Sequence, residues 1–117
     1  MIHSMPLYKR YSIVTVPFPF TDKNFTKKRP ALVISQENYQ KHTHHCILAM
    51  ITSAQHSHWD NDVNIIALES AGLPGPSVLR FKLFTLDERL ILRMLGQLAE
   101  EDQKNTQQVL SNIFNMD

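Results

Sequence analysis

Apolar residues come in short bursts along this chain, each closed by proline, glycine or a polar stretch. Ile13 to Val16 is β-branched throughout, which predicts a first strand, and Pro17 and Pro19 end its ladder because they lack amide protons. Residues 21 to 28 (TDKNFTKK) read as an exposed loop. Arg29 precedes Pro30 and is thereby pushed into an extended conformation, so the next strand, Ala31 to Ser35, begins with an arginine at its mouth. A polar stretch at 36 to 45, with a turn or short helix around Glu37 to Lys41, leads into a strand from Cys46 to Thr52. The loop 53 to 61 is polar apart from Trp59, and a strand Val63 to Leu68 follows. Gly72, Pro74, Gly75 and Pro76 exclude helix and central strand between 71 and 76. In Ser77 to Phe84, Leu79, Phe81 and Leu83 alternate with Val78, Arg80, Lys82 and Phe84; the first set is expected to point inward, the second toward water or a ligand. Thr85 to Glu88 has the form of a capping box opening a short helical turn. Ile91 to Leu98, which contains Gly96, reads as a last strand, with a helix through Met94 as the alternative. Glu100 to Phe114 reads as a closing helix: Glu100, Glu101 and Asp102 suit its positive N-terminal end, and Thr106, Val109, Leu110, Ile113 and Phe114 form one stripe.

Five to seven short strands and one amphipathic C-terminal helix imply a mainly β fold, a small curled sheet or barrel with the helix packed on it. At 117 residues the chain is one domain, with residues 1 to 11 as a flexible N-terminal lead. Apolar runs are too short to span a bilayer and no signal-peptide layout opens the chain, so the expected location is the cytoplasm. Cys46, the single cysteine, is expected to be a buried, inert thiol.

Net charge is only +1, but it is unevenly spread: residues 1 to 41 carry seven Lys or Arg against two acids, and residues 42 to 117 carry five against nine. The positive excess therefore surrounds Arg29, where it can attract a polyanion. A guanidinium meets two non-bridging phosphate oxygens at once, and a hydroxyl at a strand end can donate to the same group, which makes Arg29 and Thr52, with Ser53 beside it, a candidate pair for phosphodiester chemistry. In RNA the nucleophile can be the substrate's own 2′-hydroxyl, so neither a protein nucleophile nor a metal is required. Arginine is a poor proton acceptor, so Arg29 is assigned to phosphate binding and transition-state charge, and His56 and His58 are candidate proton-transfer groups. Lys27, Lys28, Arg80 and Lys82 would extend a track for a single RNA strand, and Phe18, Phe25 and Trp59 would stack bases between the charges. His42, His44 and His45, with His56 and His58 near Asp60 and Asp62, match no standard zinc spacing, and no metal or other cofactor is expected. There is no glycine-rich phosphate loop, no nucleophile elbow and no ordered catalytic triad.

Several segments in order resemble the MazF/PemK family of toxins from bacterial toxin-antitoxin systems. They are Ile13 to Asp22 (IVTVPFPFTD), Lys28 to Ser35 (KRPALVIS), Ile51-Thr52-Ser53, Gly72-Leu73 with Ser77 to Arg80, Thr85-Leu86-Asp87, and Gly96-Gln97-Leu98. Together they cover about residues 12 to 114. The resemblance implies an SH3-like β-barrel with a C-terminal helix, usually a homodimer. It also implies a sequence-specific, metal-independent endoribonuclease that cuts single-stranded RNA to leave a 2′,3′-cyclic phosphate and a 5′-hydroxyl. Arg29 and Thr52 match the family's active-site pair. A cognate antitoxin is implied as partner, with operator DNA bound only by the toxin-antitoxin complex. Two departures stand out: Tyr11-Ser12 replaces the usual Gly-Asp before strand one, and Asn24, Phe25 and Thr26 stand where many members carry an acid, leaving Asp22 the nearest. A catalytically weak module that binds nucleic acid or antitoxin is the competing expectation.

Overall fold

The computed structural model describes residues 5–18, 27–55 and 58–115. The strands are β1 (Ser12–Phe18), β2 (Lys27–Val33), β3 (His45–Ser53), β4 (Val63–Asn64), β5 (Ser77–Asp87) and β6 (Arg93–Gln97). The helices are α1 (Glu37–Thr43), α2 (Leu68–Ala71) and α3 (Glu100–Phe114), with a 3-10 turn at Glu88–Leu90. Among the described residues the strands form one curled antiparallel sheet in the order β4-β5-β3-β2-β1-β6.

Strand alternation sends side chains to two separate cores. One face carries Ile13, Leu32, Ala49, Ile51 and Leu79 against Ala71, Leu73, Leu98 and the Val109 side of α3. On the other, Val14, Val16, Ala31, Val33, Cys46, Leu48 and Leu86 close over Tyr8 and Ile91. The outer end of this second face, beyond Ala31 on β2 and Met50 on β3, holds the site described below.

The sheet follows the apolar pattern in outline, but β1 does not end at Pro17: it runs on to Phe18, pairing with Lys28 and Lys27, which were expected in a loop, and other departures are set by partners distant in the chain. The strand expected over Val63 to Leu68 stops after Asn64, because the next amides are taken elsewhere. Ile65 N–H donates to the Ser77 carbonyl at 3.0 Å, while the N–H groups of Ile66 and Ala67 each donate to the Asp102 carboxylate at 3.0 Å. Asp102 is fully buried. It fixes the entry to α2, a single turn closed by Gly72 at φ +72. A Cβ on Gly72 would lie 2.2 Å from the Leu95 carbonyl oxygen, and one on Gly96 would lie 2.4 Å from that of Ser70. Backbone meets backbone at both glycines, which is why neither tolerates a side chain.

The expected capping box at Thr85 to Glu88 does not form. Thr85 to Asp87 continue β5, with Asp87 paired to His45, and Asp87 is itself the cap of the 3-10 turn, accepting from Arg89 N–H at 2.9 Å. Sheet pairing outweighs the local capping preference. Glu88 is buried and accepts from Gln40 Nε2 and contacts His44 Nδ1, each at 2.9 Å. Gln40, also buried, accepts from Tyr8 N–H at 2.9 Å and donates to the Pro6 carbonyl at 2.8 Å, tying the lead segment to α1. Ile91 to Leu98 forms a strand over Arg93–Gln97, not a helix through Met94, since its backbone pairs with β1. The α3 stripe packs through Thr106, which is buried, and Val109, whereas Ile113 and Phe114 at its end are exposed. Tyr11, a non-glycine residue just before β1, holds φ +75. Its backbone is clamped on both sides, donating to Val33 O at 2.7 Å and accepting from Leu98 N–H at 2.9 Å.

Cys46 is buried, and burial, aided by the nearby Glu88 charge and opposed by a hydrogen bond with Ser35, pushes its thiol up to about 11. In the unfolded chain a cysteine ionises near pH ~8.5. The native state therefore keeps its proton while the unfolded state loses it, so this thiol's contribution is intact below pH ~8.5 and is lost as pH rises toward the folded value. Denaturation midpoints should fall over that window by less in Cys46→Ala than in the parent. Equal alkaline slopes in the two proteins would contradict the assignment.

Candidate functional site

Arg29 lies near the outer end of β2, paired with Val16 of β1. Neighbouring β3 aligns with β2 through Ala31↔Met50, Leu32↔Ala49 and Val33↔Leu48. The pairing stops at Ala31↔Met50; carried two residues further, the same register would set Arg29 across from Thr52, on the face that carries Ala31 and Met50. Both side chains line one cleft of about 570 Å³, together with Phe18, Trp59, Arg80 and Lys82. The Arg29 guanidinium lies over the Phe18 ring, 5.2 Å from its centroid. That contact orients the long side chain, as a stacked arginine loses less freedom on meeting an anion. Both Arg29 and Thr52 are half-buried, so each presents polar atoms to the cleft from a rigid strand.

The far wall comes from an irregularity in β5. Between Ala49 and Met50 the β3–β5 register jumps from Leu83 to Arg80, leaving Phe81 and Lys82 as extra residues on β5. Such a bulge bends the strand and re-aims its side chains. It brings Arg80, Lys82, Leu83 and Phe84 to the cleft. Arg80 is not the solvated cation that simple alternation suggests. It is buried and bonds Asp62 through two contacts, Nη2 to Oδ2 at 2.9 Å and Nε to Oδ1 at 3.2 Å. Burial disfavours the Asp62 carboxylate, but the hydrogen bonds from Arg80 and Trp59 N–H and the charge of Arg80 outweigh it and hold Asp62 below the usual carboxylate range. Arg80 is correspondingly held as a cation by Asp62.

Of the residues singled out from sequence, Arg29, Thr52, Phe18, Trp59, Arg80 and Lys82 share the cleft. Ser53 lies exposed at the end of β3, its Oγ accepting from Gln55 N–H at 3.2 Å. Lys27 and Lys28 are exposed on the β2 approach, opposite Phe18 and Pro17, and do not line the cleft. His58 is exposed and does not line it either. Phe25 and His56 lie outside the described residues. Two further histidines make local contacts: His42 Nδ1 contacts Asn38 O at 2.9 Å and His45 Nδ1 contacts Thr43 O at 2.8 Å. Among the described residues no three His, Cys, Asp or Glu side chains converge as metal ligands. Sequence reasoning missed the contacts of Asp62, one of two acids, with Asp60, in the polar stretch that follows Trp59, and nothing in the pattern distinguishes the two.

A family model for the PemK-like, MazF-like toxin of type II toxin-antitoxin systems matches residues 9–114. The chain belongs to this toxin family. Solved structures share its fold. The MazE-MazF complex from Deinococcus radiodurans (Form-III) aligns over 96% of this chain and all (100%) of its own, with a TM-score of 0.75 at 19% identity. Mycobacterium tuberculosis toxin MazF-mt6 aligns over 91% of this chain and 98% of its own, with a TM-score of 0.71 at 21% identity. An endoribonuclease in complex with its cognate antitoxin from a mycobacterial species covers 98% of both chains, with a TM-score of 0.72 at 14% identity. No curated protein sequence matches the chain. Among the described residues no helix is long and apolar enough to cross a membrane.

Proposed function

We propose that this PemK/MazF-like chain is an endoribonuclease toxin that cuts single-stranded RNA in the Arg29–Thr52 cleft, acting as a homodimer and neutralised by a cognate antitoxin. The observation that carries this reading is that a phenylalanine-stacked guanidinium near the end of β2 and a hydroxyl near the end of neighbouring β3 line one cleft. Family membership and the MazE-MazF complexes among the structural neighbours support the antitoxin.

In the proposed step the 2′-oxygen of one ribose attacks the adjacent phosphorus and the bond to the 5′-oxygen breaks. The 2′-hydroxyl gives up its proton and the leaving 5′-oxygen takes one, so protons balance and the products are a 2′,3′-cyclic phosphate and a 5′-hydroxyl. Arg29 binds the non-bridging oxygens, on which negative charge grows, and Thr52 donates to the same group. Because attacker and target belong to one substrate molecule, positioning and charge supply the catalysis without a metal-activated water.

Incubation with mixed-sequence RNA tests this directly. Single-stranded RNA should be cut in the presence of chelator, whereas 2′-O-methyl RNA of the same sequence should bind and stay intact. Binding of natural RNA without cutting would instead favour a module that only recognises nucleic acid. Thr52→Ala should slow cleavage by about 100-fold, the lower end of what one neutral transition-state donor supplies; single-turnover rates on the same RNA measure it.

A further inference from the structure

Trp59, the chain's one tryptophan, is 45% exposed on a polar loop at the mouth of the cleft. An indole in such a place would ordinarily be free to swing. Here both its backbone and its ring are held. Asp62 Oδ2 accepts from Trp59 N–H at 3.0 Å, and Asp62 N–H donates back to the Trp59 carbonyl at 3.2 Å. Asn61, in the left-handed conformation at φ +73, tightens that turn. The same carboxylate grips the Arg80 guanidinium on the bulge of β5, and both side chains are about nine-tenths buried or more, at 10% and 8% exposure. Arg80 in turn lies 5.3 Å from the Trp59 ring centroid, as does the Lys82 ammonium.

We infer that Asp62 is a positioning residue: by joining the Trp59 turn to Arg80 it fixes the indole as a stacking plate for one unpaired base of the strand held in the cleft. The inference rests on the ribonuclease reading and adds a division of labour within it. Arg80, whose charge Asp62 counters, shapes the plate instead of gripping a phosphate. Exposed Lys82 is left to meet the backbone beside the stacked base, while Arg29 at the opposite wall takes the scissile phosphate. Stacking on a rigid aromatic is sequence-tolerant and strong, and rigidity saves the entropy of ordering the ring at the moment of binding.

Trp59 reports on its own occupancy. Titrated with a short mixed-sequence 2′-O-methyl oligoribonucleotide, the full-length wild type should show quenched tryptophan emission on binding, whereas inorganic polyphosphate, which has no bases, should compete without quenching. Asp62→Asn should weaken oligonucleotide binding about tenfold, shift the emission of the free protein, and raise KM for cleavage more than it lowers kcat. Trp59→Ala should do the same to binding and Trp59→Phe should restore most of it. The double variant Asp62→Asn/Trp59→Ala should be no worse than the poorer single one, because Asp62 acts through the ring. Should Asp62→Asn fold poorly, Asp62→Glu keeps the charge while displacing the turn and should show the same emission shift and weakened binding. A wild type that binds the oligonucleotide without quenching, or Asp62 variants that bind as tightly as wild type, overturn the inference while leaving the ribonuclease reading in place. A wild type that binds no oligonucleotide overturns both.

Discussion

Arg29→Ala should reduce RNA cleavage by about a thousandfold or more while leaving the melting temperature within a few degrees of the parent. Removing a neutral transition-state donor already costs about 10²–10³ in rate, and here the donor is a full charge able to contact two oxygens. The fold should survive, because Arg29 is half-buried at the cleft end of β2, outside both cores. Arg29→Lys separates charge from geometry. Lysine keeps the cation but not the planar fork, nor the same stacking over Phe18. Its rate should fall between wild type and alanine, closer to alanine. A single-turnover assay on one defined RNA gives all three numbers, and an alanine variant within tenfold of wild type would remove Arg29 from the chemistry.

The largest loss of stability should come from Asp102, far from the cleft. Its carboxylate is fully buried and takes the N–H groups of Ile66 and Ala67. Asp102→Ala deletes these hydrogen bonds to a carboxylate and leaves the part-buried N–H groups of Ile66 and Ala67 without their acceptor, a change worth about 2–3 kcal/mol. Asp102→Asn retains one acceptor oxygen and should lose roughly half as much. Urea unfolding with an unchanged slope would report the difference as a shift in midpoint. An alanine variant as stable as the parent would mean that the 65–67 segment does not depend on this anchor. At temperatures where the variant stays folded, cleavage should persist, since α2 and the start of α3 do not line the cleft.

Much of this architecture was legible from patterning. The runs around Ile13, Ala31, Cys46 and Ser77 became the central strands, and Glu100–Phe114 became the closing helix, because in each case local propensity and burial agree. The failures fall where a distant partner decides. Nothing near Ile66 announces that a carboxylate thirty-six residues later will take its amide, so the strand predicted to Leu68 ended early. The capping box at Thr85 was overruled by pairing with β3, which no local pattern encodes. The site shows the same division. Arg29 stood out because Pro30 fixes its backbone and Thr52 because it ends an apolar run. Arg80 was read as facing water or RNA, since period-two alternation cannot foresee a bulge, and Asp62 was passed over because its importance lies wholly in the residues it joins.

The central claim is that Arg29 and Thr52 act on one phosphodiester attacked by its own ribose. End-group analysis of RNA fragments, produced by purified protein in the presence of chelator, tests it most directly. The account predicts 5′-hydroxyl ends and 2′,3′-cyclic phosphates, absent from digests with Arg29→Ala. Fragments bearing 5′-phosphates, or the same cyclic ends at the same rate from the Arg29 variant, would contradict it.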